Sequence, residues 1–152
     1  MKMIFKPQTE WLPPTDFPDL SKYDEIAVDL ETKDPNLNER MGSGSVVGVG
    51  DVVGISLATQ DWCAYYPIAH EGGGNMDRKM VLEWFQDQMK TNSTKIFHNA
   101  MYDVCWLRRL GIDIQGQIVD TMIAASLVDE NRFRYDLNGC GRDYVGKGKD
   151  ET

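Results

Sequence analysis

The stretch Glu25-Ile26-Ala27-Val28-Asp29-Leu30-Glu31-Thr32 decides how this chain is read. Ile26, Val28 and Leu30 alternate with Ala27, Asp29 and Glu31, a period of two that marks a β-strand. Side chains two apart leave a strand on the same face. One face of this strand is therefore apolar and turned to a core, and the other displays Asp29 and Glu31 together. Carboxylates that close repel each other, so either one is protonated or a cation sits between them. Oxygen donors of this hard kind suit Mg²⁺ or Mn²⁺. Acid-x-acid pairs also arise by chance in a chain with 24 Asp and Glu residues, so the pair alone does not assign a metal site.

Upstream of this strand, residues 1–24 carry Pro7, Pro13, Pro14 and Pro18 and read as an extended arm. Trp11, Leu12 and Phe17 can pack that arm onto the body, residues 25–152. Downstream, residues 34–50 read as a polar, Gly-rich loop. Val53, Ile55 and Leu57 alternate as a second strand, Gln60-Asp61 turns the chain, and Trp62 to Ile68 returns as a third strand, giving a hairpin. Met80, Val81, Trp84, Phe85 and Met89 recur at helical spacing, which predicts an amphipathic helix over 77–90. A short strand at 95–97, a helix at 100–110 closed by Gly111, a strand at Ile118-Val119 and a helix at 121–128 follow. After Asn131, four glycines break the pattern. The expected class is α/β: a mixed sheet with early antiparallel strands, then parallel β-α-β units, and flanking helices. The strands near residues 28, 96 and 118 should lie side by side in parallel. This layout resembles the ribonuclease-H-like fold.

Length and composition agree with one globular domain: 152 residues, 41% apolar and 26% charged. No apolar run reaches membrane-spanning length, and the first residues lack the apolar stretch and small-residue cleavage site expected of a secretion signal. Three widely spaced cysteines argue against a disulfide framework and for a reducing compartment. The net charge of −8 speaks against tight, non-specific duplex binding. It leaves open an enzyme that grips a few nucleotides through metal ions. From Arg132 to Lys149 there are five basic and two acidic residues, a solvated surface or a phosphate-contacting edge.

The second chemical element is His98-Asn99-Ala100-Met101-Tyr102-Asp103, which follows a strand and opens a helix. Asn99 and Asp103 are four apart and share a helix face. That face lies at the same end of the parallel strands as Asp29 and Glu31, where open α/β sheets place ligands. A purely structural reading makes Asn99 a helix cap and leaves Asp103 merely exposed or near the helix start.

Together these elements resemble the four-carboxylate 3′–5′ exonucleases. Ile26 to Thr32 is similar to their first motif, and His98 to Asp103 to their second, an Asn with an Asp four positions on. Asp120-Thr121-Met122-Ile123-Ala124-Ala125 and Arg134-Tyr135-Asp136-Leu137 are similar to the stretch that follows in proofreading domains of family A, DNA-polymerase-I-like enzymes. Phe17-Pro18-Asp19-Leu20 resembles phage versions. The resemblance implies Asp29, Glu31 and Asp103 as catalytic metal ligands for two divalent ions, Mg²⁺ or Mn²⁺. It places Leu30 and Thr32 against a terminal nucleotide and has Asn99 contact it, with Tyr102, and Phe97 if it is not core, as stacking platforms. It further implies a single-stranded or frayed 3′ end of DNA as substrate, a polymerase domain in cis beyond residue 152, no membrane, and work in a bacterial or phage-infected cytoplasm.

One departure is plain. The family uses a fourth carboxylate in a third motif, Tyr-x-x-x-Asp, and none of the six tyrosines here has an Asp four positions later. The expectation is a chain cut before that motif, weak or inactive as a hydrolase. Asp136 belongs to the preceding loop or helix and is not the missing ligand. A non-catalytic DNA-end-binding module of the same fold and a ribonuclease of the same superfamily are the rival readings. Gly141-x-x-x-x-Gly146-Lys147 lacks the Ser or Thr of a phosphate-binding loop. Gly48-x-Gly50 runs into a strand where a dinucleotide fingerprint needs a helix. Asp34-x-Asn36-x-Asn38 lacks the Gly and Glu of a calcium loop.

Overall fold

A computed structural model describes residues 11–37 and 42–148. The first ten residues of the expected arm, positions 38–41 of the Gly-rich loop and Lys149 to Thr152 lie outside the described residues. Five strands form one sheet: β1 (Glu25–Lys33), β2 (Asp51–Ala58), β3 (Cys63–Pro67), β4 (Thr94–Phe97) and β5 (Ile118–Asp120). Their order is β3-β2-β1-β4-β5. β1 pairs antiparallel with β2, and β2 with β3, while β1, β4 and β5 run parallel. This is the mixed sheet that the sequence pattern predicts, with the first strand in the middle.

The helices are α1 (Gly44–Val47), α2 (Arg78–Met89), α3 (Ala100–Arg109), α4 (Thr121–Val128) and α5 (Leu137–Cys140), which runs into a π-helical turn, Gly141–Val145. Two of these correct the sequence reading. The segment 34–50 is not all loop, because α1 stands within it. Ser43 caps that turn, Gly48 ends it in a left-handed conformation (φ 84°), and the Asp34 carboxylate accepts the Gly44 N–H at 3.0 Å. The segment after Asn131 folds too, with Asp136 capping α5 by accepting the Gly139 N–H at 2.9 Å.

The core lies on the apolar face of β1. Ile26, Val28 and Leu30 meet Val81, Phe85 and Met89 of α2 and Trp106 and Leu107 of α3, all buried. Burying each such side chain stabilises by about 1.5–3 kcal/mol relative to exposure. Residues 11–24 follow this body without regular structure. Leu20 is buried, its N–H donates to Gln88 at 2.8 Å, and the Trp84 indole donates to the Pro18 carbonyl at 2.9 Å. Phe17 stacks on Tyr66. Lys95 is fully buried beneath the sheet end, where its ammonium donates to the carbonyls of Thr91, Ser93 and Gln115. Burial holds its pKa below the ordinary value, and the three carbonyls replace lost water.

The register of β1 against β2 positions the site. Ala27, Asp29 and Glu31 face Ala58, Ser56 and Gly54, and then the pairing shifts, with Thr32 opposite Val52. Val53 is the extra residue of this β-bulge, a device that bends a strand and re-aims side chains beside functional sites.

Candidate functional site

The sheet presents Asp29 and Glu31 on the face away from the core, both half-buried. Asp29 lines a cleft of about 600 Å³ with Ala27, Ser56, Tyr65, Ile96 and His98. Asp103 comes from the first turn of α3, which starts where β4 ends, so parallel pairing of β1 and β4 brings it to the same end of the sheet. Its side chain is only 3% exposed. Burial, the charge on Asp29 and lesser repulsion from Asp120 and Glu31 push its pKa up to about 7, against the pull of a hydrogen bond from the Leu30 N–H. The three acids thus form one electrostatic cluster, although among the described residues no three His, Cys, Asp or Glu side chains stand gathered at metal-ligand spacing. An all-oxygen donor set with excess negative charge around a buried acid fits a hard divalent cation.

Asn99 precedes α3 in the left-handed region, φ 68°, alone among the described non-glycine residues. Asn tolerates that conformation better than most residues. Its side chain makes no cap to α3, contrary to the purely structural reading, and it is exposed. The cap comes from elsewhere: the Asp120 carboxylate accepts the N–H groups of Asn99 at 3.0 Å and Ala100 at 2.8 Å, and also Met122 at 2.9 Å at the head of α4. Burial opposes ionisation of Asp120, but these N–H donors outweigh it and hold the pKa below the usual carboxylate range.

Thr32 and Tyr102 are brought together. Their hydroxyls lie 2.7 Å apart, and Tyr102 donates to the Asp34 carboxylate at 3.0 Å. Tyr102 therefore ties β1, α3 and the 34–50 loop into one unit, and Arg109 completes the tie by donating to the carbonyls of Gly44, Gly48 and Val49. Leu30 is 6% exposed and its side chain packs in the core, so it could meet a terminal nucleotide only through its backbone. Phe97 is likewise core, as its alternative reading had it. His98 is spent on structure, with Nδ1 2.9 Å from the Thr121 hydroxyl and Nε2 2.6 Å from the Tyr135 carbonyl. On the basic segment, Arg132 is taken up by an ion pair with Asp143 at 2.7 Å, and Lys149 lies outside the described residues.

Sequence reasoning missed Tyr65 and His70. Tyr65 pairs with Ser56 on β2, which itself faces Asp29. Its hydroxyl is hydrogen-bonded to His70 Nε2, and burial together with the charge on Glu31 pushes its pKa up to about 12. Only the tertiary register of the hairpin could have pointed to them.

Comparison with known proteins agrees with this geometry. A family model described as 3′–5′ exonuclease matches residues 16–150. The chain is 31% identical over 151 residues to a DNA-directed DNA polymerase of Pseudomonas phage M6, covering 95% of the chain and 23% of that protein. It is 29% identical over 135 residues to a DNA polymerase of Acinetobacter phage SH-Ab 15497, covering 88% of the chain and 19% of the relative. The chain thus spans about a fifth of these polymerases. Among solved structures, Brucella melitensis NrnC with bound Mg²⁺ superimposes with a TM-score of 0.60 at 17% identity, covering 93% of the chain and 62% of NrnC. That likeness establishes the shared ribonuclease-H-like fold.

Proposed function

The chain belongs to the 3′–5′ exonuclease family, and from that premise we propose that it removes nucleotides from the 3′ end of DNA as the editing part of a polymerase. The observation that carries this reading is the buried Asp103 carboxyl facing the charges of Asp29 and Glu31 at the carboxyl end of the parallel strands. Asp29 and Glu31 would hold divalent ions from β1, and Asp103 would do so from α3. When bound, such ions supply an activated water and clamp the attacking and leaving oxygens of an in-line displacement.

The other residues position and admit. Asn99, exposed at the rim, would contact the terminal nucleotide. Thr32 and Tyr102, locked hydroxyl to hydroxyl, would form one wall of the nucleotide site. A paired terminus must fray to reach such a site, which gives a basis for selecting mispaired ends. With three family carboxylates and no Tyr-x-x-x-Asp, this chain should turn over slowly. A second reading, a module that binds a DNA 3′ end without cutting it, is favoured by the absence, among the described residues, of three acids gathered at metal-ligand spacing.

The test is degradation of 3′-labelled single-stranded DNA, with an RNA of equal sequence alongside, in Mn²⁺. Slow stepwise loss of 3′ nucleotides from DNA that Asp29→Ala abolishes supports the exonuclease reading. Binding of the 3′ end without any cleavage supports the second. Preferential cleavage of RNA would overturn the DNA assignment.

A further inference from the structure

Glu31 has a neighbour across the sheet that the exonuclease motifs do not include. Gly54 stands directly opposite Glu31 on β2. A Cβ at Gly54 would collide with the Tyr65 hydroxyl, which means that the phenol lies over the bare backbone of Gly54. Tyr65 itself is anchored two pairs away, opposite Ser56, and leans along the strand to reach this point. Directly opposed positions on one face are about 5 Å apart between Cβ atoms, so the space over Gly54 adjoins the Glu31 side chain.

Behind the phenol stands His70. Its ring meets Tyr65 edge-on, with centroids 5.9 Å apart and planes at 65°, and its Nε2 is hydrogen-bonded to the hydroxyl. His70 is itself held from both sides of its backbone. Its N–H donates to the Asn75 side chain at 2.7 Å, and its carbonyl accepts from the Asn75 amide at 2.8 Å. The loop after β3 is also tied to the end of β1 by the Lys33–Glu71 ion pair. A carboxylate can only accept hydrogen bonds; in the tautomer whose Nε2–H donates to Tyr65, the phenol proton is left to point at Glu31.

We propose that Tyr65, backed by His70, is a positioning residue that orients Glu31 for the divalent cation. Carboxylates that hold metals are usually fixed by a hydrogen bond from behind, and loss of that bond typically weakens metal affinity by about 10–100-fold. The proposal rests on the metal reading of Asp29, Glu31 and Asp103, and the experiment separates the two.

The experiment measures Mn²⁺ dissociation constants of the full chain by electron paramagnetic resonance of the free ion, with thermal unfolding in EDTA as the control for folding. The variants are Tyr65→Phe, His70→Ala, His70→Gln and Glu31→Gln. Gln places an amide nitrogen near the position of Nε2 and should keep the bond to Tyr65. The expected result is Mn²⁺ binding weakened at least about 10-fold in Tyr65→Phe and His70→Ala, restored toward wild type in His70→Gln, with unfolding in EDTA unchanged. Wild-type affinity in Tyr65→Phe together with lost affinity in Glu31→Gln overturns the positioning role and leaves the metal site standing. Unchanged affinity in Glu31→Gln overturns the metal reading, and the proposal with it. If Tyr65→Phe fails to fold, the contrast between His70→Ala and His70→Gln decides: equal affinity in the two overturns the proposal.

Discussion

The carboxyl of Asp103 sits near enough to Asp29 that, after burial itself, the charge of Asp29 is the strongest influence keeping the Asp103 proton in place. An acid held in this way is a cost to the fold whenever it ionises without a cation beside it. The metal-binding reading and the stability of the protein are therefore two aspects of one interaction, and both can be measured.

The first prediction concerns pH. The folded-state pKa of Asp103, about 7, stands above its ordinary value of 3.8. Between those values the folded state binds a proton that the unfolded chain does not, so stability from this group falls as pH rises and reaches its minimum above pH 7. The penalty is on the order of 4 kcal/mol. Asp34 and Asp120 act oppositely, but their pKa values are lowered, so their contributions change only at pH values below about 4 and do not mask the effect. In EDTA, Asp103→Asn should raise the melting temperature by several degrees at pH 8 and leave it nearly unchanged at pH 5. An equal rise at both pH values would contradict the account.

Asp120 is expected to be the largest single polar contributor to the site's geometry, because it caps two helices at once. Asp120→Ala should cost about 2–3 kcal/mol in urea unfolding, more than a single helix cap. Asp120→Asn should recover part of it. A loss under about 0.5 kcal/mol would mean that the three N–H groups find water equally well.

Asn99 combines a backbone role and a proposed ligand role, and two substitutions separate them. Asn99→Ala must hold a Cβ at φ 68° and should lose about 1 kcal/mol of stability. Asn99→Gly should keep stability within a few tenths of a kcal/mol. If the side chain contacts the nucleotide, both variants should weaken binding of a single-stranded 3′ end several-fold. Unchanged binding in the glycine variant would remove Asn99 from the nucleotide site.

Tyr102 loses two partners when its hydroxyl is removed. Tyr102→Phe leaves the Asp34 carboxylate short of a donor and the Thr32 hydroxyl unpaired, for an expected loss of about 1–3 kcal/mol. Hydrogen exchange should show the Gly44–Val47 turn opening faster than β1. Uniform acceleration across the chain would contradict a local tie.

Much of this arrangement is legible in the residues themselves, and the reasons differ by element. The period-two run from Ile26 to Leu30 foretells the central strand, and α4 spans the very residues that its pattern predicts, Thr121–Val128. The α1 turn escapes notice because it has no apolar period; a carboxylate ten residues upstream holds its first N–H. Asp29, Glu31 and Asp103 are legible as motif residues, and the fold does set them at one end of the sheet. Leu30 belongs to the same motif, and strand alternation sends its side chain to the core however the neighbouring acids are used. Tyr65 and His70 are invisible in sequence because only the register of three strands brings Tyr65 opposite Ser56 and its hydroxyl over Gly54, the residue that faces Glu31.

The measurement that bears most directly on the central claim is calorimetric titration of the wild type and of Asp29→Ala and Asp103→Asn with Mn²⁺ at pH 7, in buffers of different ionisation enthalpy. A metal bound at this cluster must displace the proton that Asp103 holds at that pH. The account predicts binding in the wild type with release of a fraction of a proton, release that vanishes in Asp103→Asn, and binding lost in Asp29→Ala. Undiminished Mn²⁺ binding in Asp29→Ala, or proton release that persists in Asp103→Asn, would contradict it.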